Sequence, residues 1–374
     1  MIRIKSEDLQ VGKPLPWDCY DAGGVLLLRK GVVIASQRQL DGVIERGLFA
    51  DQEGHKPAAQ APSVPAEKPS PFHIIADIKL RLRAIFTGII TAQTTDLPGR
   101  IIKLCKDLQD LCEMDADAAL GTLHLDHEGR YTIIHPLHVA ILCELIAKRK
   151  GVAAEPRLSL LAAAITSNIA MIELQDTLQK QQTPLNPEQL EAIRLHTLKG
   201  VDMLLAAGVQ DDVWIRTVLH HHEKLDGSGY PGALRGDDIP LPVRILSLAD
   251  TYSAMITPRV YRNQILARDA LRDIFLKRGA EMDAALAQVF IKEMGVFPPG
   301  AFVKLHNGEV AVVIRRGDNA MAPLVQSLIG PRGAPLPVPV PLRRDSSKED
   351  YAIREMVCPD KTASIDPHLL WGYK

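Results

Sequence analysis

Charge of either sign is barely in excess in this sequence: 44 Lys and Arg stand against 45 Asp and Glu, for a net charge of −1 and a pI near 6.9. No basic field exists to hold a nucleic-acid backbone, so an anionic ligand must be held locally, in a pocket. Cysteine is scarce as well. The five (Cys19, Cys105, Cys112, Cys143, Cys358) show no CxxC spacing, which excludes a disulfide framework and thiolate zinc clusters and reads as isolated thiols in a reducing compartment. No apolar run approaches the ~20 residues needed to span a bilayer. The opening MIRIKSEDLQ carries charges where a signal peptide needs an apolar core. The expectation is a cytoplasmic, soluble protein without a membrane span. With 46% hydrophobic and 24% charged residues over 374 positions, the chain has material for two or three globular domains.

Punctuation along the chain divides it. Residues 1–50 hold a Gly-Gly turn between short apolar runs, a hairpin pattern, and then SQRQLDGVIERG, a helix pattern from a Ser36 cap to Gly47. Residues 51–72 are rich in Pro and Ala and read as a linker. From residue 73 the apolar period turns helical, as in Ile74, Ile75, Ile78, Leu82, Ile85, Phe86 and Ile89. The pattern continues to 295, including one helix expected over 157–175. Residues 296–374 alternate, turn at Asn307-Gly308, and end in an irregular stretch, so a small β-rich appendage is expected. The fold class is therefore mainly α, a helical bundle domain between a small α+β N-terminal module and a β-rich C-terminal appendage.

Polar clusters interrupt the apolar helices at His135, His196, His221-His222-Glu223 and Asp250. Imidazole with carboxylate is the ligand set for zinc, iron or manganese, and a helical bundle can converge such side chains in its core. A lone histidine of this kind is more often a satisfied core residue; four clusters together favour a site. His124, His127 and His138 with Asp126 straddle a loop and are expected at a solvated surface. Arg315-Arg316 is expected at an exposed hairpin end. Asp226-Gly227-Ser228-Gly229 alone would be only a turn.

HHEKLDGSGYPGALRGDDIPLPVRILSLADTYSAMITPRVYR, residues 221–262, resembles the diagnostic stretch of the HD-GYP family, metal-dependent phosphodiesterases that hydrolyse cyclic di-GMP. The resemblance covers 130–262. It implies an HD-type helical bundle, with Gly229, Tyr230 and Pro231 as the name-giving triplet. It implies metal ligands at His135, His196, His221, His222 and Asp250, and substrate contacts from Tyr230, Arg259 and Arg262. No other basic cluster lies near those arginines in sequence.

At the other half of the family name the chain departs. ITSNIAM places Ser167, Asn168 and Met171 where the family has His, Asp and Lys, and Tyr131 stands where some members carry a glutamate. A bridging carboxylate offsets the repulsion of two cations, and a neutral Asn168 does so poorly. A full dinuclear centre is therefore not expected; the remaining ligands could hold one divalent metal (Fe, Mn or Zn) at one site. Two readings of function follow: a catalytically impaired cyclic di-GMP receptor or protein-interaction module, and a phosphodiesterase with a reduced, mononuclear site. In a third the histidines are leftovers in a scaffold.

Overall fold

Ser70 and Pro71 show how sharply local sequence sets the first boundary: the Ser70 hydroxyl accepts from the His73 N–H, and Pro71 fills the first helical position, where its missing N–H costs nothing. The expected linker thus gives way to helix two residues early. The computed structural model describes residues 2–3, 9, 11–15, 17–20, 26–33, 49–50, 70–91, 93–127, 129–258, 265–336, 342–358 and 366–373. It divides into two compact units, Met1–Lys68 and Pro69–Lys374.

In the first unit, β1 (Ile2–Arg3), β2 (Cys19–Tyr20), β3 (Leu26–Leu28) and β4 (Phe49–Ala50) form a sheet in the order β1-β4-β2-β3, all neighbours antiparallel. The β2–β3 pairing is that of a hairpin; its Gly-Gly turn and the helix expected over 36–47 lie outside the described residues.

The second unit is built on helices α1 (Pro71–Ile90), α2 (Leu97–Met114), α3 (Ala116–Leu125), α4 (Tyr131–Arg149), α5 (Ala154–Thr166), α6 (Ile172–Leu178), α7 (Pro187–Ala206), α8 (Asp212–His220), α9 (Leu241–Ile256), α10 (Ala267–Lys277) and α11 (Ala284–Met294). One apolar core joins them, with Ile78, Leu82 and Ile85 from α1 against Leu104 and Leu108 from α2. α4 lies at its centre and is buried along nearly its whole length. Residues 131–149 and 154–178 are long and apolar enough to cross a membrane, which corrects the expectation that no run approaches that limit. Their apolar windows are 89% and 78% buried, as befits core helices.

The helix expected over 157–175 is divided. α5 stops at Thr166, a 3-10 turn spans Ile169–Met171, and α6 resumes at Ile172. Ser167 turns its hydroxyl back onto the Ala164 carbonyl, the local bonding with which serine competes against helix continuation.

Strands β5 (Phe302–Leu305), β6 (Val310–Arg315), β7 (Leu324–Ile329), β8 (Leu342–Asp345) and β9 (Ile353–Met356) form an antiparallel sheet in the order β8-β7-β6-β5-β9, followed by the short α12 (Pro367–Trp371). β5 and β6 turn at Asn307-Gly308, where Gly308 takes φ +88. The sheet shares the helices' unit. Arg315 bonds both oxygens of Asp115, and Arg316 pairs with Asp117 and Glu293. The arginine pair expected at an exposed hairpin end thus ties the sheet to α2, α3 and α11, with Arg316 only 27% exposed.

Candidate metal centre

Two helices deliver the histidine trio. α7 starts at a capping box, Asn186 with Gln189, and carries His196. α8 starts under an Asp211 cap and ends at His220, so His221 and His222 fall in the turn just beyond it. A helix end leaves carbonyls without intrahelical partners, and the Val218 carbonyl takes its bond from His221 Nδ1 at 2.7 Å. His196 Nδ1 likewise donates to the Ile193 carbonyl.

These two bonds fix the tautomers. With Nδ1–H given to a carbonyl, each Nε2 is left as a bare lone pair, and the two Nε2 atoms face one another 3.4 Å apart. Burial lowers the pKa of both rings, so neither is protonated to relieve the contact. Two buried lone pairs aimed at one point are electrostatically costly without a cation between them. His222 completes the set, and the ligand atoms of His196, His221 and His222 all lie within 4.8 Å of one another. Burial pushes the His222 ring down to about 4, leaving it neutral as a ligand must be. The trio therefore fits one borderline divalent metal.

His135 and Asp250 form a different pair. His135 Nε2 meets Asp250 Oδ1 at 2.8 Å, and its Nδ1 lies 3.0 Å from Ser253 Oγ. Burial would raise the Asp250 carboxyl, but the His135 bond and the nearby imidazoles outweigh it and hold the group below the ordinary carboxylate range. Both ring nitrogens of His135 are engaged, and Tyr131 stacks on its face at 4.8 Å. The structure thus brings His135 to Asp250 without adding it to the trio's ligand atoms.

Opposite stands the altered wall. Asn168 Nδ2 donates to Ser167 Oγ at 3.3 Å, and Ser167 is 2% exposed. Both groups are neutral and bonded to each other, so nothing there offers a charge to a second cation. Asn168 and Met171 line a cavity of about 590 Å³ together with His135, His196, His222 and Asp250; Ser167 does not line it.

Gly229-Tyr230-Pro231 closes the trio's side. A Cβ on Gly229 would sit 2.5 Å from the Glu223 and Lys224 backbone, so only glycine allows this approach. The Tyr230–Pro231 bond is cis, and the Tyr230 ring stacks on His222 at 4.9 Å. Glu223 does what the sequence alone left unassigned. Its buried carboxyl accepts from the Gly232 N–H at 2.6 Å and the Leu234 N–H at 3.0 Å, pinning the loop beside the histidines. Its place directly after His222 was the available signal.

Arg259 and Arg262 lie outside the described residues. Among the described residues, Arg130 and Lys180 share a second cavity with Thr257 and Pro258. The expectation of a solvated His124, His127 and His138 group is corrected. His124 and His138 are 6% and 2% exposed, because they lie on the buried faces of α3 and α4.

Residues 122–286 match the HD domain family. The chain is 27% identical over 226 residues to the cyclic di-GMP phosphodiesterase PA4108 of Pseudomonas aeruginosa, covering 60% of this chain and 54% of that protein. It is 30% identical over 175 residues to the 3'3'-cGAMP-specific phosphodiesterase 3 of Vibrio cholerae, covering 46% and 38%. The chain thus spans about half, or less, of the length of these relatives. Among solved structures it is similar in fold to Bd1817, an HDG"Y"P protein from Bdellovibrio bacteriovorus, with a TM-score of 0.51, 14% identity, and coverage of 78% of this chain and 98% of that one. The helical unit with its histidine trio and Gly-Tyr-Pro turn belongs to the HD-GYP family of HD domain proteins.

Proposed function

We propose that this chain is a cyclic di-GMP receptor of bacterial nucleotide signalling, holding one divalent metal and hydrolysing its ligand poorly or not at all. One observation carries this reading: an intact three-histidine set faces a wall whose Ser167 and Asn168 are neutral and hydrogen-bonded to each other. A metal at the trio would supply a Lewis-acidic contact for a phosphate oxygen. His196, His221 and His222 would hold it, Tyr230 would border the nucleotide, and the His135–Asp250 pair would stand beside the phosphate. The substrate class is supported by relatives whose names specify cyclic di-GMP or 3'3'-cGAMP. Arg259 and Arg262 are proposed phosphate contacts on family resemblance. A protein partner that reads the bound state is part of the proposal.

The closeness of the trio favours a second reading, a mononuclear phosphodiesterase, since three-histidine sites with an open position support hydrolysis elsewhere. Titration calorimetry with cyclic di-GMP on the metal-loaded chain, paired with a turnover assay, decides between them. Binding without turnover is expected. Steady turnover abolished by His196→Ala would establish the second reading, and absence of binding would refute the first.

A further inference from the structure

On the far side of Tyr131 from the histidines lies another cavity, of about 550 Å³, lined by His127, Arg130, Tyr131, Asp176, Gln179 and Lys180 among others. Tyr131 and Gln179 line both cavities, so the two are adjacent across a shared wall. The chemistry of this second cavity is cationic and donor-rich. Lys180 is exposed at its rim. Arg130 reaches Asp176, the one carboxylate in the lining, which also accepts from Thr132 Oγ1 at 3.3 Å. Arg130 is the N-cap of α4 and gives that 19-residue helix no side-chain cap bond, so the helix presents its positive end here.

His127 supplies an independent observation. Both its ring nitrogens are shielded from solvent and make no close side-chain hydrogen bond among the described residues; the backbone of His124 is the polar group that bears on the ring. Buried polar atoms normally find a full partner, so this ring at the cavity wall can turn toward a ligand that offers one. Burial lowers its pKa, so the ring enters neutral, with one donor and one acceptor.

We infer that this second cavity is an anion subsite that takes the distal phosphate of a cyclic dinucleotide whose other phosphate sits at the histidine trio. The inference rests on the receptor reading above. A ligand with two phosphodiester groups in one ring can straddle Tyr131, with Arg130, Lys180, His127 and the α4 N-terminus meeting the second group. Asp176 then competes with the ligand for Arg130, so the subsite is held partly closed by its own carboxylate. Arg is suited to exchange one oxyanion partner for another, because its fork fits carboxylate and phosphate alike.

The test uses the full chain and two ligands, cyclic di-GMP and GMP, titrated by calorimetry against wild type, Lys180→Gln, Arg130→Gln and Asp176→Asn. Lys180→Gln and Arg130→Gln are each expected to weaken cyclic di-GMP by about tenfold, the value of one charge-assisted contact, and to leave GMP within about twofold. Asp176→Asn is expected to tighten cyclic di-GMP, a gain that damage to the fold does not produce. Lys180 is exposed, so its variant keeps the test valid if Arg130→Gln fails to fold. Unchanged cyclic di-GMP affinity in the variants, or equal losses for both ligands, would overturn the subsite while leaving the receptor reading intact. A wild-type chain that binds no cyclic di-GMP would overturn both.

Discussion

Glu223 holds two backbone N–H groups of the Gly-Tyr-Pro turn from a position one residue past the trio, so the shape of the loop and the aim of the histidines are linked through one carboxyl. Removing it leaves Gly232 and Leu234 without their acceptors, at a cost on the order of 2–4 kcal/mol. Glu223→Ala is therefore expected to lower the thermal midpoint and to broaden the visible spectrum of a cobalt-substituted trio as Tyr230 loses its seat on His222. Glu223→Gln keeps one acceptor and should recover part of both signals. A cobalt spectrum unchanged in the Ala variant would show that the loop does not position the ligands. At this scale the sequence was informative where chemistry repeats locally: three consecutive histidines and a Gly-Tyr-Pro triplet stand out in any register. It named His135 as a ligand but could not give its bonds to Asp250 and Ser253, which join residues more than 100 positions apart.

Between α5 and α6 the chain breaks helix at the positions where the family carries its metal ligands. Asn168 faces the cavity, whereas Ser167 is buried behind it. The two positions should therefore respond differently to restoration. Asn168→Asp returns a carboxylate to the cavity wall and is expected to raise metal content above one per chain at little cost to folding. Ser167→His forces an imidazole into a packed site and is expected to cost about 1–3 kcal/mol. Elemental analysis and thermal melts of both single variants check this. A stable Ser167→His variant with increased metal would show that the wall has kept room for its lost ligand. The apolar period predicted a continuous helix here because Ile165, Ile169 and Ile172 are all core residues. The break came from side-chain bonding to the backbone, which period alone does not register. Most other helices were legible from period and caps, within a few residues at their ends; α3 (Ala116–Leu125), read as a loop, and the short α12 (Pro367–Trp371) were not.

Across the whole second unit, long-range ion pairs and buried imidazoles decide stability in ways that sequence neighbours did not reveal. Arg316 joins β6 to Asp117 and Glu293, partners about 200 and 23 residues away. Its replacement by Ala leaves Asp117 with the backbone N–H at position 316 and Glu293 with Arg149 at 3.7 Å, and is expected to lower stability by about 1–3 kcal/mol, measured by denaturant unfolding. His124 is one of several buried imidazoles that make the fold sensitive to acid. It lies on α3 facing α9, with Tyr252 Oη 3.4 Å from its Nε2, His127 nearby, and Lys79–Asp126 and His138 on the surrounding elements. Burial lowers its pKa from 6.5 to about 3. Because the folded pKa is depressed, the unfolded chain binds the proton first, and stability falls as pH drops from about 6.5 toward 3. His124→Gln should reduce that slope in melts recorded across this range, the other buried imidazoles keeping the remainder; an unchanged slope would place the acid sensitivity elsewhere.

Metal stoichiometry measured on the full chain after anaerobic purification tests the central claim most directly. The account predicts one divalent metal per chain, lost when His196 and His221 are both changed to Ala, with no second equivalent at any metal concentration that leaves the protein folded. Two tightly held metals in the wild-type chain, with Ser167 and Asn168 in place, would contradict it.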